Sequence, residues 1–119
     1  MTETIEIEVD PLDPSALDGI ADQIMTGIEN GLIEIGEAVA RAARANAPRG
    51  TGELAASIER AQVSAMVMRV VATAPHADAV ESGTSTRPPR PFMVPAVQQE
   101  EVRFGLVIAD EIKLQIGAL

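Results

Sequence analysis

The sequence contains no cysteine and very few aromatic residues, and each absence excludes a class of function. Without cysteine, the chain has no disulfides, no thiol catalysis and no cysteine-ligated zinc. Phe92 and Phe104 are its only Phe, Tyr or Trp residues. The chain therefore cannot build the stacking platforms that hold single-stranded nucleic acid. Its core is expected to be aliphatic.

Long hydrophobic runs are also missing. No apolar run approaches the roughly 20 residues that a membrane span needs, and the first ten residues are acidic where a signal peptide is basic. These features predict a soluble intracellular protein without a membrane partner. With 119 residues, of which 46% are hydrophobic and 23% charged, the chain is expected to form one globular domain over residues 1–119.

The net charge of −9 is unevenly distributed along the chain. Residues 1–40 contain ten acids and no Lys or Arg, whereas residues 41–90 contain seven arginines against four acids. One interpretation is a solvated acidic helix face. The other is a head-to-tail contact in which acidic and basic patches of identical subunits meet. Tight binding to duplex DNA is disfavoured, since phosphate contacts need a basic surface.

Periodicity predicts an α+β fold, in which a small antiparallel sheet of three or four strands packs against two long helices. Two stretches repeat apolar residues every three or four positions, and each begins near a proline. Three glycines, at 27, 31 and 36, weaken the first helix and suggest a break or bend. In chain order, the predicted elements are a strand within 1–12, a helix over 14–47, a β-hairpin over 57–74, an extended proline-rich arm over 83–91 and a helix over 95–117.

Two segments suggest chemistry but lack the residues for it. Arg49-Gly50-Thr51-Gly52 has the glycines of a phosphate-binding loop, but Glu53 follows where a lysine is required. His76 is the only histidine, and its carboxylate neighbours Asp78 and Glu81 match no known metal-ligand spacing. The sequence therefore predicts no catalytic, cofactor-binding or metal-binding residue, and His76 is interpreted as a surface or interface residue.

Four short motifs occur in a specific order. They are Ala45-Asn46-Ala47-Pro48 with Thr51-Gly52-Glu53-Leu54, then Ser57-Ile58, then Pro75-His76-Ala77 with Val80-Glu81-Ser82-Gly83-Thr84, and finally Pro91-Phe92-Met93-Val94-Pro95-Ala96. This order resembles the phage tail-component family named after the HK97 gene-ten product, over about residues 35–105. The chain departs from that pattern at His76, where the family usually has tyrosine, and at Ser82, which often corresponds to an aromatic residue.

The resemblance implies a non-enzymatic virion protein that acts in the neck, in joining the head to the tail, or in completing the tail. It implies a homo-oligomeric ring, usually of six subunits, assembled in the cytoplasm of the bacterial host. The expected partners are other neck and tail proteins, with DNA only as passing cargo. No cofactor is expected.

The candidate site residues are structural or interfacial. Thr51 and Gly52 are expected to form a tight turn, with the Thr51 hydroxyl capping the turn that follows. Glu81 is expected to pair with Arg87 or Arg90, of its own chain or a neighbour's. Phe92 is expected to be an anchor in a cleft, either between helix and sheet or between subunits. The full set is Thr51, Gly52, Leu54, Glu81, Gly83, Thr84, Arg87, Arg90, Pro91, Phe92 and Pro95.

Two other functional classes remain open from the sequence. One is a small regulatory protein-binding module, such as an antitoxin-like dimer. The other is an enzyme with a carboxylate-bound metal, which would require Glu53, Asp78 and Glu81 to converge. Counting subunits distinguishes the first from a ring, and a metal-dependent melting temperature would reveal the second.

Overall fold

The structure is a computed structural model that describes residues 14–50 and 52–117, with side chains described from residue 19. The predicted fold class is confirmed: two long helices accompany a small antiparallel sheet. The strand predicted within residues 1–12 lies outside the described residues. In chain order the elements are α1 (Pro14–Asn46), α2 (Glu53–Ala56), β1 (Ile58–Ser64), β2 (Val67–Ala72), α3 (Ala77–Ser82) and α4 (Met93–Gly117).

The hairpin of β1 and β2 forms the sheet. In the described part of the chain this sheet has two strands rather than three or four. Ile58 pairs with Ala72 at the open end, and Gln62 pairs with Met68 near the turn. The register shifts by one residue between Gln62 and Ser64. Such an irregularity accommodates a turn that has no glycine or asparagine.

Helix α1 runs through its glycines without the break that the sequence suggested. A Cβ atom on Gly27 would lie 2.7 Å from the Cα of Ile112, and one on Gly31 would lie 3.1 Å from the Cα of Ile108. A Cβ on Gly36 would lie 2.7 Å from the side chain of Met68, in β2. Backbone contact with α4 therefore explains two of these glycines, and packing against the hairpin explains the third.

The core lies at one end of the molecule, where the last two turns of α1 meet α2, α3, the start of β1 and the start of α4. Most of its residues are small, since six are alanines and only four carry larger side chains. The buried hydrophobic residues are Val39, Ala40, Ala43, Ala47, Leu54, Ile58, Ala74, Ala77, Phe92 and Ala96. The first half of α1 and the second half of α4 pair with each other beyond this core.

Candidate assembly interface

The motif residues that are far apart in sequence meet in this core. Each of the four motifs contributes at least one buried side chain to the place where the hairpin and both long helices meet. The buried motif residues are Ala47, Leu54, Ile58, Ala77, Phe92 and Ala96. The apolar motif residues therefore form one shared core. Polar motif residues hydrogen-bond to backbone groups around it.

Glu81 caps helix α4 from a different helix. Its Oε1 accepts hydrogen bonds from the backbone N–H groups of Phe92 at 3.0 Å and Met93 at 2.9 Å, and its Oε2 accepts one from Val94 at 3.3 Å. The next residue, Pro95, has no N–H to satisfy. One carboxylate thus satisfies the free donors at the start of α4 and places a negative charge at the positive end of its dipole.

This arrangement corrects the pairing of Glu81 predicted within its own chain, and a pairing with a neighbouring subunit stays a prediction. Within the described residues, Glu81 forms no ion pair with Arg87 or Arg90 of its own chain. Partial burial of the Glu81 carboxyl raises its pKa, but the backbone hydrogen bonds from Met93, Phe92 and Val94 outweigh burial and hold the pKa below its ordinary value. At neutral pH the carboxylate is therefore ionised, and its oxygens accept the hydrogen bonds from the start of α4.

The loop after α1 contains Gly52, one of the two residues predicted to form a tight turn. Gly52 has a left-handed backbone, with φ of 83°, and is the N-cap of α2. It presents Leu54 to the core, where that side chain is buried. The predicted capping role of Thr51 lies outside the described residues. Arg44 secures the end of α1 by donating from Nε and Nη2 to the carbonyl oxygen of Ile58, at 3.0 and 2.8 Å.

The segment 83–91 is a folded connector and not the extended arm that its prolines predicted. Gly83 has φ of 78°, and a Cβ there would lie 2.6 Å from the nitrogen of Pro89. The Thr84 N–H donates to the carbonyl oxygen of Arg87 at 2.9 Å, and the Arg90 N–H donates to that of Val80 at 2.8 Å. Glycine allows the chain to reverse here, and the backbone bonds hold it against α3.

The connector and the 48–52 loop enclose a pocket of about 220 Å³ with a cationic lining. We call it the basic pocket. Within the described residues, its three arginines, Arg49, Arg87 and Arg90, form neither an ion pair nor a side-chain hydrogen bond, and all three are exposed. Among the residues that the structure describes, no Asp or Glu lines it. The lining residues are Pro48, Arg49, Gly50, Gly52, Leu54, His76, Val80, Arg87 and Arg90.

Phe92 belongs to the interior of its own chain. Its side chain is only 1% exposed, so the structure favours the cleft within the chain, and little of the ring is left to contact another subunit. Pro91 is exposed at the end of the connector, and Pro95 is half-buried in the first turn of α4. Asn46 approaches the same point, since its Nδ2 donates to the carbonyl oxygen of Phe92 at 3.4 Å.

Part of the charge segregation is satisfied within the chain. Glu37 of α1 forms a salt bridge with Arg60 of the hairpin. The Oε1 atom of Glu29 accepts a hydrogen bond from Gln62 Nε2 at 3.1 Å. Glu34 is not satisfied in this way, because it faces another acid: desolvation and the neighbouring Glu34 carboxyl raise the pKa of Glu111 in α4. Glu29 and Glu37 are therefore engaged by their own subunit. Other acids, and arginines such as those of the basic pocket, are left for contacts between subunits.

Apolar side chains remain open to solvent along the paired helices. On α4, Val102 is 77% exposed, Leu106 67% and Leu114 66%. Residues four apart share a helix face, so Val102 and Leu106 form one patch. An apolar groove of about 340 Å³ lies between α1, β2 and α4. Its lining is Leu32, Ile35, Gly36, Val39, Met68, Val70, Met93, Val97, Phe104 and Ile108.

The described residues offer no group of three or more His, Asp or Glu side chains arranged to hold a metal ion. Glu81, which the metal-enzyme alternative requires, is instead committed to the backbone of α4. No helix within residues 14–50 and 52–117 combines the length and hydropathy needed to cross a bilayer. His76 lies exposed at the start of α3 and is part of the lining of the basic pocket.

Comparison of the chain with known protein families, with curated proteins and with solved structures found no match in any of the three.

Proposed function

We propose that the chain is a structural subunit of a tailed-phage virion that assembles into a ring, expected to hold six copies, at the neck or the end of the tail. In this role it joins the head to the tail or completes the tail, without catalysis or cofactor. Its partners are copies of itself and other neck and tail proteins, and DNA passes through the ring as cargo.

The observation that carries this proposal is the convergence of the motif residues on one structural unit. The side chain with the most distinctive chemistry in the motifs, Glu81, holds three backbone N–H groups. The others, including Leu54, Ile58 and Phe92, fill the core. Motifs that maintain a shape are typical of a building block, whereas an enzyme would leave reactive groups free in a cleft.

The exposed apolar surface supports assembly. The core is composed largely of alanine, while Val102, Leu106 and Leu114 remain open on α4. Apolar patches of this kind mark protein interaction sites. Ring subunits bury such faces against their neighbours, and the energy of association then comes mainly from apolar contact, with charge setting orientation.

The proposal is tested by deleting the gene from the phage or prophage that encodes it. The expected result is that filled heads and finished tails accumulate separately, or that tails lack their terminal ring, as seen by negative-stain microscopy. Mass spectrometry of purified virions should detect the chain in wild-type particles. Normal joined particles after deletion, or virions without the chain, would overturn the proposal. If the chain were instead an antitoxin-like regulatory protein, deletion of its gene would leave virion structure unchanged.

A further inference from the structure

We propose that the basic pocket receives the acidic N-terminal segment, residues 1–13, of a second copy of this chain. The inference deepens the proposed ring and rests on it, since it names the contact through which neighbouring subunits recognise each other. The inference rests on three observations: a cationic pocket without an ion pair, an acidic segment of matching pattern, and a distance that Glu6 and Glu8 cannot span within one chain.

The pocket needs an anionic occupant. Arg49, Arg87 and Arg90 converge on it without an ion pair in the described part of the chain. Positive residues that line one depression repel one another, and an incoming acid relieves that repulsion. The lining also includes the apolar side chains of Leu54 and Val80. An occupant with both acidic and apolar side chains therefore fits better than a bare anion.

The first 13 residues have that composition. They contain five acids and no basic residue. Between residues 4 and 9, Glu6 and Glu8 alternate with Ile5, Ile7 and Val9. The acids match the arginines, and the aliphatic residues match the apolar part of the lining. The acids of α1 offer a weaker match, because Glu29 and Glu37 are already engaged in their own subunit.

The contact must form between chains. Helix α1 has 33 residues, so its ends are about 50 Å apart. The basic pocket lies just beyond the C-terminal end of this helix, whereas residues 1–13 precede its N-terminal end. Glu6 is eight residues before Pro14 and, even fully extended, extends at most about 29 Å from it. Glu3 extends at most about 40 Å. The alternating stretch that contains Glu6 and Glu8 therefore falls short of its own pocket.

A contact between opposite ends of identical subunits is heterologous. Each subunit offers one acidic segment and one basic pocket, so the contact repeats from copy to copy and closes into a ring when the rotation allows. Charge complementarity of this kind sets orientation and speeds encounter, and it weakens as salt rises.

Binding of a fluorescent peptide of residues 1–13 to the full chain, followed by anisotropy at low salt, tests the pocket directly. The pocket variant carries Arg87→Glu with Arg90→Glu. The control variant carries Arg41→Glu with Arg69→Glu, which makes the same charge change at exposed arginines outside the pocket. We expect the pocket variant to bind on the order of tenfold more weakly than the wild type. The control variant should lose less than half as much peptide-binding free energy as the pocket variant.

Charge exchange tests the contact in the assembly. A segment variant carries Glu6→Lys with Glu8→Lys. The segment and pocket variants alone should each sediment as smaller species than the wild type, whereas their equimolar mixture should assemble, because each then offers what the other requires. Circular dichroism of each variant checks that the fold is intact. A mixture no larger than its components would overturn the proposed contact.

The outcomes separate this inference from the proposed function. Wild-type rings with equal peptide binding in the pocket and control variants would refute the pocket contact and leave the ring standing. Peptide binding that depends on Arg87 and Arg90 in a chain that never forms rings would support the contact and refute the ring. Displacement of the peptide by inorganic phosphate or a short DNA duplex at lower concentration than by unlabelled peptide would assign the pocket to phosphate and overturn the inference.

Discussion

Removing the carboxylate of Glu81 should destabilise the fold more than removing any other surface charge. In Glu81→Ala, the N–H groups of Phe92, Met93 and Val94 lose their acceptor at the start of α4. Hydrogen bonds to a charged group contribute about 1.5 to 3 kcal/mol, and removing an ordinary helix cap costs about 0.5 to 2 kcal/mol. Because water can reach part of this site, we expect a loss of about 2 to 3 kcal/mol.

Glu81→Gln separates charge from hydrogen bonding. The amide oxygen can still accept from one or two of the N–H groups, but its NH₂ cannot accept from the third, and the interaction with the helix dipole is lost. The expected cost is about 1 to 2 kcal/mol. For a chain of 119 residues, each 1 kcal/mol lowers Tm by about 4 °C. Urea unfolding followed by circular dichroism measures both variants.

The pH dependence has a definite sign. The pKa of Glu81 is lower in the folded chain than its ordinary value of 4.5, so its contribution to stability is complete above that value. It is lost as the pH falls through the lower folded pKa. The difference between wild type and Glu81→Gln should therefore be constant between about pH 6 and 8 and shrink below about pH 4.5.

Asp78→Asn provides the matched control, because it removes one negative charge from the same helix, α3, at an exposed position. We expect it to change the free energy of unfolding by no more than about 0.5 kcal/mol. The capping account is refuted if Glu81→Gln and Asp78→Asn cost the same, or if the cost of Glu81→Gln is unchanged from pH 7 to pH 3.

Three further substitutions test the packing and the charges. Gly27→Ala should destabilise the chain despite the better helix propensity of alanine, because the new Cβ would meet the backbone of α4. Its control, Gly19→Ala, has open space around the new Cβ and should stabilise the chain by up to about 1 kcal/mol. Thermal melts compare the two variants. Gly83→Ala should cost at least about 1 to 3 kcal/mol because of its positive φ and its contact with the connector, and Gly50→Ala should cost much less in the same urea titration. Glu111→Gln should raise stability at pH 7 and flatten its decline between mildly acidic and neutral pH.

The sign of the last prediction follows from the raised pKa of Glu111. Desolvation of its carboxyl, its hydrogen bond with Glu34 and the negative charges of Glu34 and Asp110 all raise that pKa. A raised folded pKa means that the stabilising contribution is present at low pH, below the unfolded pKa, and is lost as the pH rises through the folded value. Unfolding titrations from pH 4 to pH 8 should show this decline in the wild type and less of it in Glu111→Gln.

The helices and the hairpin were predictable because their signals are local. Repeated apolar residues over 14–47 and 95–117 identify α1 and α4, and the observed ends differ by no more than two residues. Helix α4 starts at Met93, before Pro95, because a proline within the first turn removes no helical hydrogen bond. The identity of the Glu81 partners was not predictable, since they are backbone groups 11 to 13 residues away.

The role of the glycines in α1 also depends on tertiary structure. Helix propensity alone predicts that Gly27 and Gly31 destabilise α1. Their spacing of four residues, however, places them on one face of the helix. That spacing was the available signal for close packing against α4. The connector was mispredicted for a related reason: prolines restrict φ, but Gly83 reverses the chain and backbone hydrogen bonds then fold it onto α3.

Assembly into a ring is the central claim, and native mass spectrometry combined with negative-stain microscopy of the purified chain tests it most directly. Over a concentration series at low salt, we expect one closed species whose mass is a whole multiple of 12.5 kDa, with six copies expected, and images of rings with a central channel. A monomer at every concentration would contradict the claim. So would a closed dimer, which would favour a small regulatory binding protein instead.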